Sequence, residues 1–328
     1  MAEKSVLIIG AGLAGLATGC YAQMNGYRSH IFEHHSQPGG VAAAWKRKQY
    51  LIDGGIHFVM GHKPGTALYE LYHELGIVPG CRFVDMATYG RFLDEASGRS
   101  VTVTRDMDRL AADLKAVSPA DAPTVDELIG IARAMRGPEL IDFGMGKPPE
   151  LAGRLDSLKE MWRMRRLFKY FAGKFARPVA DYVRMVQDPW LCEFLKYLFL
   201  PEVPVWFIGM MLALVADAQV GFLEGGCLDF VQPIEQRYKS LGGQVTYKAT
   251  VKEVLVAEDR AVGIRLADGS EHHADAVVSA ADGYSTLFKM LGGRYLSPKI
   301  EKQYANWKPI RPMVMVSYGV AREFPGEP

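Results

Sequence analysis

Ser5-Val6-Leu7-Ile8-Ile9-Gly10-Ala11-Gly12-Leu13-Ala14-Gly15 is the stretch on which the fold turns. Residues 5 to 9 are a short apolar run ending at a glycine, the pattern of a buried parallel strand. Residues 13 to 25 then place Leu13, Leu16, Ala17, Cys20 and Met24 at helical spacing, with Gly26 as the stop. A second strand is expected over 27–33. Gly10, Gly12 and Gly15 fit G-x-G-x-x-G between that strand and that helix. The first glycine makes the tight turn, the second lets backbone approach a pyrophosphate, and the third lets helix and strand pack closely. Unpaired N–H groups at the start of the helix, around Leu13 and Ala14, and its positive end would hold the phosphates. Glu33 lies 18 residues after Gly15, at the end of the second strand, where an acid meets a ribose hydroxyl. Its charge would repel a 2′-phosphate, so the slot favours FAD or NAD over NADP.

Two further segments separate those dinucleotides. Gln37-Pro38-Gly39-Gly40-Val41 follows Glu33 directly, and Ile52-Asp53-Gly54-Gly55-Ile56-His57 comes soon after. An NAD domain needs neither. A flavin ring lies against backbone, and paired glycines supply backbone without side chains. Each pair taken singly is also an ordinary turn; together with the first motif they point to FAD.

The rest of the chain alternates in character. A helix is expected over 66–75, closed by Gly76, with strand-like pieces from Cys81 to Thr104. Residues 106–220 read as helical and rich in Met, Trp, Phe and Arg. The α/β pattern returns at Gly225-Gly226 with a helix over about 228–241. Strands follow at 244–256, 261–267 and 272–280, with Asp268-Gly269 as a tight turn, and a last strand at Met313–Val320. The fold class is therefore α/β: a discontinuous Rossmann-like FAD-binding domain from 1–105 and 222–290. The inserted, largely helical substrate domain comprises 106–221 and 291–328.

With these motifs in hand, the chain resembles the phytoene desaturase, carotenoid isomerase and retinol saturase group, relatives of the flavin amine oxidases. The resemblance rests on Val6 to Gly61, with Glu33, Pro38-Gly39-Gly40, Trp45-Lys46-Arg47-Lys48 and Asp53-Gly54-Gly55-Ile56-His57. It continues through Glu224-Gly225-Gly226, Leu241-Gly242-Gly243, Ala267-Asp268-Gly269 and the run from Ala274 to Asp282, and is weakest from 106 to 220. It implies an FAD-dependent oxidoreductase that passes hydride between the flavin and a carbon–carbon bond of an apolar, polyene or isoprenoid-type substrate. Desaturation, saturation and isomerisation stay open. It also implies that Val251 meets the adenine, that Ala280 and Ala281 pass near the flavin nucleotide, and that Gly55, Ile56 and His57 lie beside the isoalloxazine. The chain departs from the group at Val41, where many relatives carry Arg. It also stops at Pro328 without the group's last glycine-containing flavin segment, so a C-terminally truncated chain is expected.

Other signals narrow the function. The 328 residues carry a net charge of +1, which gives no general bias toward nucleic acid. Cys20, Cys81, Cys192 and Cys227 form no CxxC pair, which argues for reduced thiols in a cytoplasmic setting and against zinc. The N-terminus enters the first strand with no room for a signal peptide. His34-His35 and His272-His273 point to opposite faces if on strands, so no metal site is expected. No catalytic residue is evident. His57 fits either a proton-transfer group or a packed histidine, and Glu224 and Asp217 are weaker candidates. Residues 151–190 hold nine Lys/Arg against four acids, interleaved with aromatics. They fit a peripheral membrane contact or a packed helix with a solvated basic face. The apolar run from Leu195 to Leu214 fits a substrate tunnel or plain core. Rival readings are a flavin amine oxidase and a truncated flavin-binding protein without turnover. An NAD dehydrogenase lacks a second catalytic constellation.

Overall fold

The structure is a computed structural model that describes residues 4–56, 58–142, 145–148, 151–307, 314, 316, 318–323 and 325. It separates into two compact units. The first comprises residues 1–57, 72–82 and 223–325, and the second 58–71, 83–222 and 326–328.

The first unit is built on four parallel strands: β1 (Ser5–Ile9), β2 (Arg28–Phe32), β3 (Gln244–Thr246) and β4 (Ala276–Ser279). Their order is β3-β2-β1-β4. Ile9 pairs with Phe32 on one side and Ser279 on the other, and Phe32 pairs with Thr246. All four strands therefore end together, at the edge where doubly wound sheets bind ligands. Helix α1 (Leu13–Met24) carries the chain from β1 to β2, and α2 (Gly226–Ser240) packs beside it. A second, antiparallel sheet of Val251–Ala257, Arg260–Leu266 and Glu271–His273 shares a core with β1 and β2 through Leu7, Phe32, Val254 and Ile264.

The buried face of α1 differs from the expected one. Gly15, Leu16, Gly19 and Cys20 are buried, while Met24 is exposed. Small residues define this face because the neighbours come too close for side chains. A Cβ at Gly19 would stand 2.7 Å from the ring of Tyr238 on α2. Tyr238 is itself fully buried and donates its hydroxyl to Ser29 O at 2.8 Å.

The second unit has its own core, formed by Leu110, Leu114, Ile129, Ile131, Phe194 and Leu212. These come from the helices Met107–Val117, Ala122–Ala134, Pro189–Tyr197 and Val205–Ala216, which pack with the hairpin Thr88–Leu93/Ser100–Thr104. Asp106 and Asp188 cap two of the helices by accepting from amides two and three residues on. Leu195, Met211 and Leu214 are buried in this unit's core clusters, while Leu198, Phe199, Trp206, Phe207 and Met210 pack partly buried against them.

Several expectations need correction. The single strand over 244–256 is two, Gln244–Thr246 and Val251–Ala257, in different sheets. Likewise 272–280 divides into Glu271–His273 and Ala276–Ser279. Of Met313–Val320, the residues Met313, Met315 and Ser317 lie outside the described set. Val314, Val316 and Tyr318 are exposed and join no ladder. The compact units also break elsewhere than at 105/106 and 290/291. Residues 58–71 and 83–105 cluster with the helical unit, and 291–307 with the parallel sheet. The physical reason is non-local pairing, since Val59–Met60 forms its ladder with Val220 and Gly221.

Candidate dinucleotide site

The site forms where β1 turns into α1. Gly10 has φ +98°, a conformation that side chains disfavour, and its N–H donates to Phe32 O at 2.8 Å. This turn brings Gly12 to the start of α1 with extended backbone. Gly15 lies one turn in, where a Cβ would stand 1.9 Å from Gly10 O. Helix and strand can approach this closely only with glycine there. Gly12 is different: its nearest contacts would be Gly40 Cα at 3.8 Å and Gly39 O at 3.9 Å, ordinary packing distances. The protein's own atoms do not demand glycine at 12; a side chain there would intrude on the cleft that Gly12 lines.

The second glycine pair is stitched onto the first. Gly39 N donates to Ala11 O at 2.9 Å, and Gly12 and Gly39 form an isolated parallel bridge. Glu33 ties the same loop from below. Its Oε2 accepts from Ala11 N at 2.6 Å and its Oε1 from His35 N at 2.7 Å, and the side chain is buried. Each carboxylate oxygen keeps a second acceptor position for a further hydroxyl.

Together these residues line a cleft of about 910 Å³. This lies toward the upper end of the roughly 300–1,000 Å³ common for small-molecule and cofactor sites. Gly10, Gly12, Leu13, Ala14, Glu33, Gly39, Gly40, Val41, Val251, Ala280 and Ala281 all border it. Ala280 is held there by its N–H to Ile9 O at 2.9 Å.

Gly55 and Ile56 do not border the cleft. A Cβ on Gly55 would meet Val41 O at 2.3 Å, so packing within this unit accounts for the glycine. Ile56 N donates to Cys227 Sγ at 3.0 Å. Burial raises the Cys227 thiol above its ordinary range. His57 lies outside the described residues. Glu224 pairs with Arg82 at 2.9 Å. Asp217 accepts from Arg136 Nε at 2.6 Å and Gly137 N at 2.8 Å. Both acids are engaged in local structural contacts. Among the described residues, no cluster of three or more His, Cys, Asp or Glu could hold a metal ion.

Some lining residues were not among the expected site residues. Asp282, Ser285 and Lys289 border the cleft, the last two from the helical turn Ser285–Met290. Asp282 Oδ1 accepts from Ser285 N at 2.9 Å, and hydrogen bonding by Ser285 holds the carboxyl below its usual range. Lys289 is a cation on this cleft, whereas the position after Gly39-Gly40 is the neutral Val41. Its place after β4 could have suggested it only once β4 was known to lie beside β1.

Comparisons with known proteins agree with this architecture. A family model described as an NAD(P)-binding Rossmann-like domain matches residues 8–75. The chain is 27% identical over 297 residues to a lycopene-forming phytoene desaturase of Pseudescherichia vulneris, covering 88% of this chain and 58% of that protein. It is 24% identical over 319 residues to a chloroplastic prolycopene isomerase of Daucus carota, covering 92% and 50%. The chain thus spans little more than half the length of these relatives. An oxidoreductase structure from Methanosarcina mazei aligns with TM-score 0.56 and 20% identity over 92% of this chain and 64% of that one. Putrescine oxidase with bound putrescine aligns with TM-score 0.51 and 16% identity over 86% and 59%. These likenesses establish the fold. The resemblance to phytoene desaturases and prolycopene isomerases, first carried by the glycine motifs and Glu33, therefore holds along about nine-tenths of the chain.

Proposed function

We propose that this chain is an FAD-dependent oxidoreductase, phytoene desaturase-like, that acts on a carbon–carbon bond of an apolar polyene or isoprenoid-type substrate. The observation that carries the reading is the cleft, in which two glycine segments, Glu33, Val251 and Ala280-Ala281 converge at the ends of four parallel strands. The cleft has the character of an extended dinucleotide site. At its centre, Gly12 leaves space that the protein's own packing does not claim.

In this reading, the first-turn amides of α1 hold the pyrophosphate, and Glu33 accepts from the adenosine ribose. Val251 covers the adenine, and Ala280 and Ala281 border the nucleotide. Lys289 supplies positive charge to the phosphates. When bound, FAD supplies hydride transfer to or from carbon. The protein's part is to fix the cofactor, orient an apolar chain and exclude water, and no dedicated acid–base pair is required. Relatives with desaturase and isomerase names are consistent with this class of chemistry.

The test is direct. The purified chain is mixed with FAD, desalted and scanned for a flavin spectrum. Retained flavin that disappears in a folded Gly12→Trp variant supports the reading. A wild-type chain that is folded by circular dichroism yet retains no flavin overturns it. Turnover is then tested with solubilised polyenes, read as a shift of their absorption bands in the flavin-loaded protein.

A further inference from the structure

We infer that an arginine-lined cleft of the second unit, bordered by the turn after the helix Val205–Ala216, binds a small hydroxylated monocarboxylate. The site stands on the second unit alone and does not depend on the flavin reading. The cleft measures about 880 Å³ and has Arg105, Arg133 and Arg136 on its border. Two of these charges are met within the protein. Arg133 pairs with Asp108, and Arg136 pairs with Asp217 at 2.6 Å. Arg105 is held differently. Its Nε donates to Met86 O at 2.9 Å, while its Nη2 is buried with no acceptor among the described residues. No carboxylate pairs with Arg105 among those residues.

The complementary need stands on the same cleft. Gln219 borders it with its backbone fixed: its N–H donates to Leu214 O at 2.9 Å, and its carbonyl accepts from Gly61 N at 3.0 Å. Its side-chain Oε1 is buried with no donor among the described residues. Ala218, between Asp217 and Gln219, has φ +55°, a conformation that a residue with a Cβ disfavours and that recurs where backbone is held to aim side chains. Leaving a buried polar atom unpaired is costly, so an unpaired donor and an unpaired acceptor on one cleft call for an occupant that supplies both partners. Arg105 and Gln219 are only partly buried, so a turn of the terminal torsion presents either atom to that occupant. A planar carboxylate matches a guanidinium fork, and an alcohol supplies the O–H for Gln219. Charge selects a monoanion. One unmatched guanidinium balances one negative charge, whereas a phosphate monoester carries roughly −1.5 to −2 at neutral pH and would leave excess negative charge near Asp217. Water meets the hydrogen-bonding need but leaves the Arg105 charge unbalanced. Pro64 and Ile141 supply apolar wall for a carbon skeleton.

Calorimetric titration of the purified chain at neutral pH and fixed ionic strength tests this. The probes are lactate, propionate and inorganic phosphate; the first two share the carboxylate and differ by one hydroxyl. Lactate should bind saturably in the millimolar range or below, and propionate roughly tenfold more weakly for want of the bond to Gln219. Arg105→Gln should abolish binding of both carboxylates while circular dichroism stays unchanged. Gln219→Met should bring lactate down to the affinity of propionate and leave propionate unchanged, a split that general loss of structure would not produce. Should Arg105→Gln fail to fold, Gln219→Met carries the test alone. No saturable lactate binding overturns the inference, as does unchanged lactate binding by folded Arg105→Gln. Equal affinity of the parent for lactate and propionate, or a preference for lactate that survives Gln219→Met, overturns the hydroxyl contact. Phosphate bound more tightly than lactate overturns the choice of a carboxylate.

Discussion

Gly12 and Gly15 stand three residues apart and are glycine for different reasons. At Gly15 the obstacle is internal, since an added Cβ meets a backbone carbonyl at 1.9 Å. At Gly12 the neighbours stand at 3.8 Å and beyond. Gly15→Ala should therefore lower stability by about 1–3 kcal/mol, or more because backbone must shift, whether or not cofactor is present. Gly12→Ala should leave the melting temperature of the free protein nearly unchanged yet weaken flavin binding. Thermal melts beside flavin titrations separate the two, and equal destabilisation by both variants would refute the distinction. Glu33 joins both roles in one side chain. Glu33→Ala removes the acceptor for Ala11 N and His35 N and leaves both amides unpaired. A loss of about 1–3 kcal/mol follows, chiefly from the buried Ala11 N–H left unsatisfied. Glu33→Gln keeps an acceptor oxygen, so it should recover part of that stability and bind FAD more weakly than the parent. A Gln variant as unstable as Ala would show that charge, not hydrogen bonding, dominates.

At the scale of elements, the contacts that position the site are made between segments far apart in the chain. Asp53 ends the strand Tyr50–Asp53 and caps α2, accepting from Cys227 N at 3.0 and 3.1 Å. Asp53→Ala should lower stability by about 0.5–2 kcal/mol, while Asp53→Asn keeps most of it. Chemical denaturation of the three proteins checks this. In the second unit, Asp85 at the end of the strand Phe83–Asp85 accepts from Lys63 Nζ at 2.6 Å and pairs with His62 Nε2 at 2.9 Å. Hydrogen bonds from His62 and then Lys63 bring the Asp85 carboxyl down to about 2. A depressed carboxylate stabilises the fold above its unfolded pKa near ~3.9 and loses that contribution as pH falls through the folded value. Stability should fall between about pH 4 and pH 2 on this account, by no more than about 1 kcal/mol because Asp85 is partly exposed. Asp85→Asn should flatten that limb, and an unchanged acid limb would remove the pair from it. Much of the first unit's order was legible locally: strand, glycine turn, helix and Glu33 lie within 29 residues of one another. The Asp53 cap was not, because 174 residues separate Asp53 from Cys227 and nothing near Asp53 marks a helix start. The close packing of Gly55 against Val41 was not legible either, since it depends on how two turns fold together.

At the scale of the whole molecule, up to residue 325 the chain passes between the compact units at 57/58, 71/72, 82/83 and 222/223. Reading along the sequence predicts one insertion, because pattern changes show only where composition changes. The short strand Val59–Met60 sits in strand-like sequence, yet its partners Val220 and Gly221 follow the helical block. The orientation of 151–190 was equally hidden: helical spacing gives a stripe, but only tertiary packing decides that Leu155 faces out while Leu167 and Tyr170 face in. What both scales share is the cleft, and cofactor choice can be read through global stability. A ligand that binds only the folded chain stabilises it by about 2.7 kcal/mol at a hundredfold excess over its Kd. For a protein of this length that is a rise of roughly a few degrees in Tm. FAD should produce such a shift. NADP⁺ should produce none, because buried Glu33 at the end of β2 would face its 2′-phosphate. Glu33→Gln removes that repulsion, so it should narrow the gap between the two ligands. A parent chain stabilised by NADP⁺ as strongly as by FAD would mean that Glu33 does not face the ribose, and the orientation of the dinucleotide in this cleft would have to be reversed.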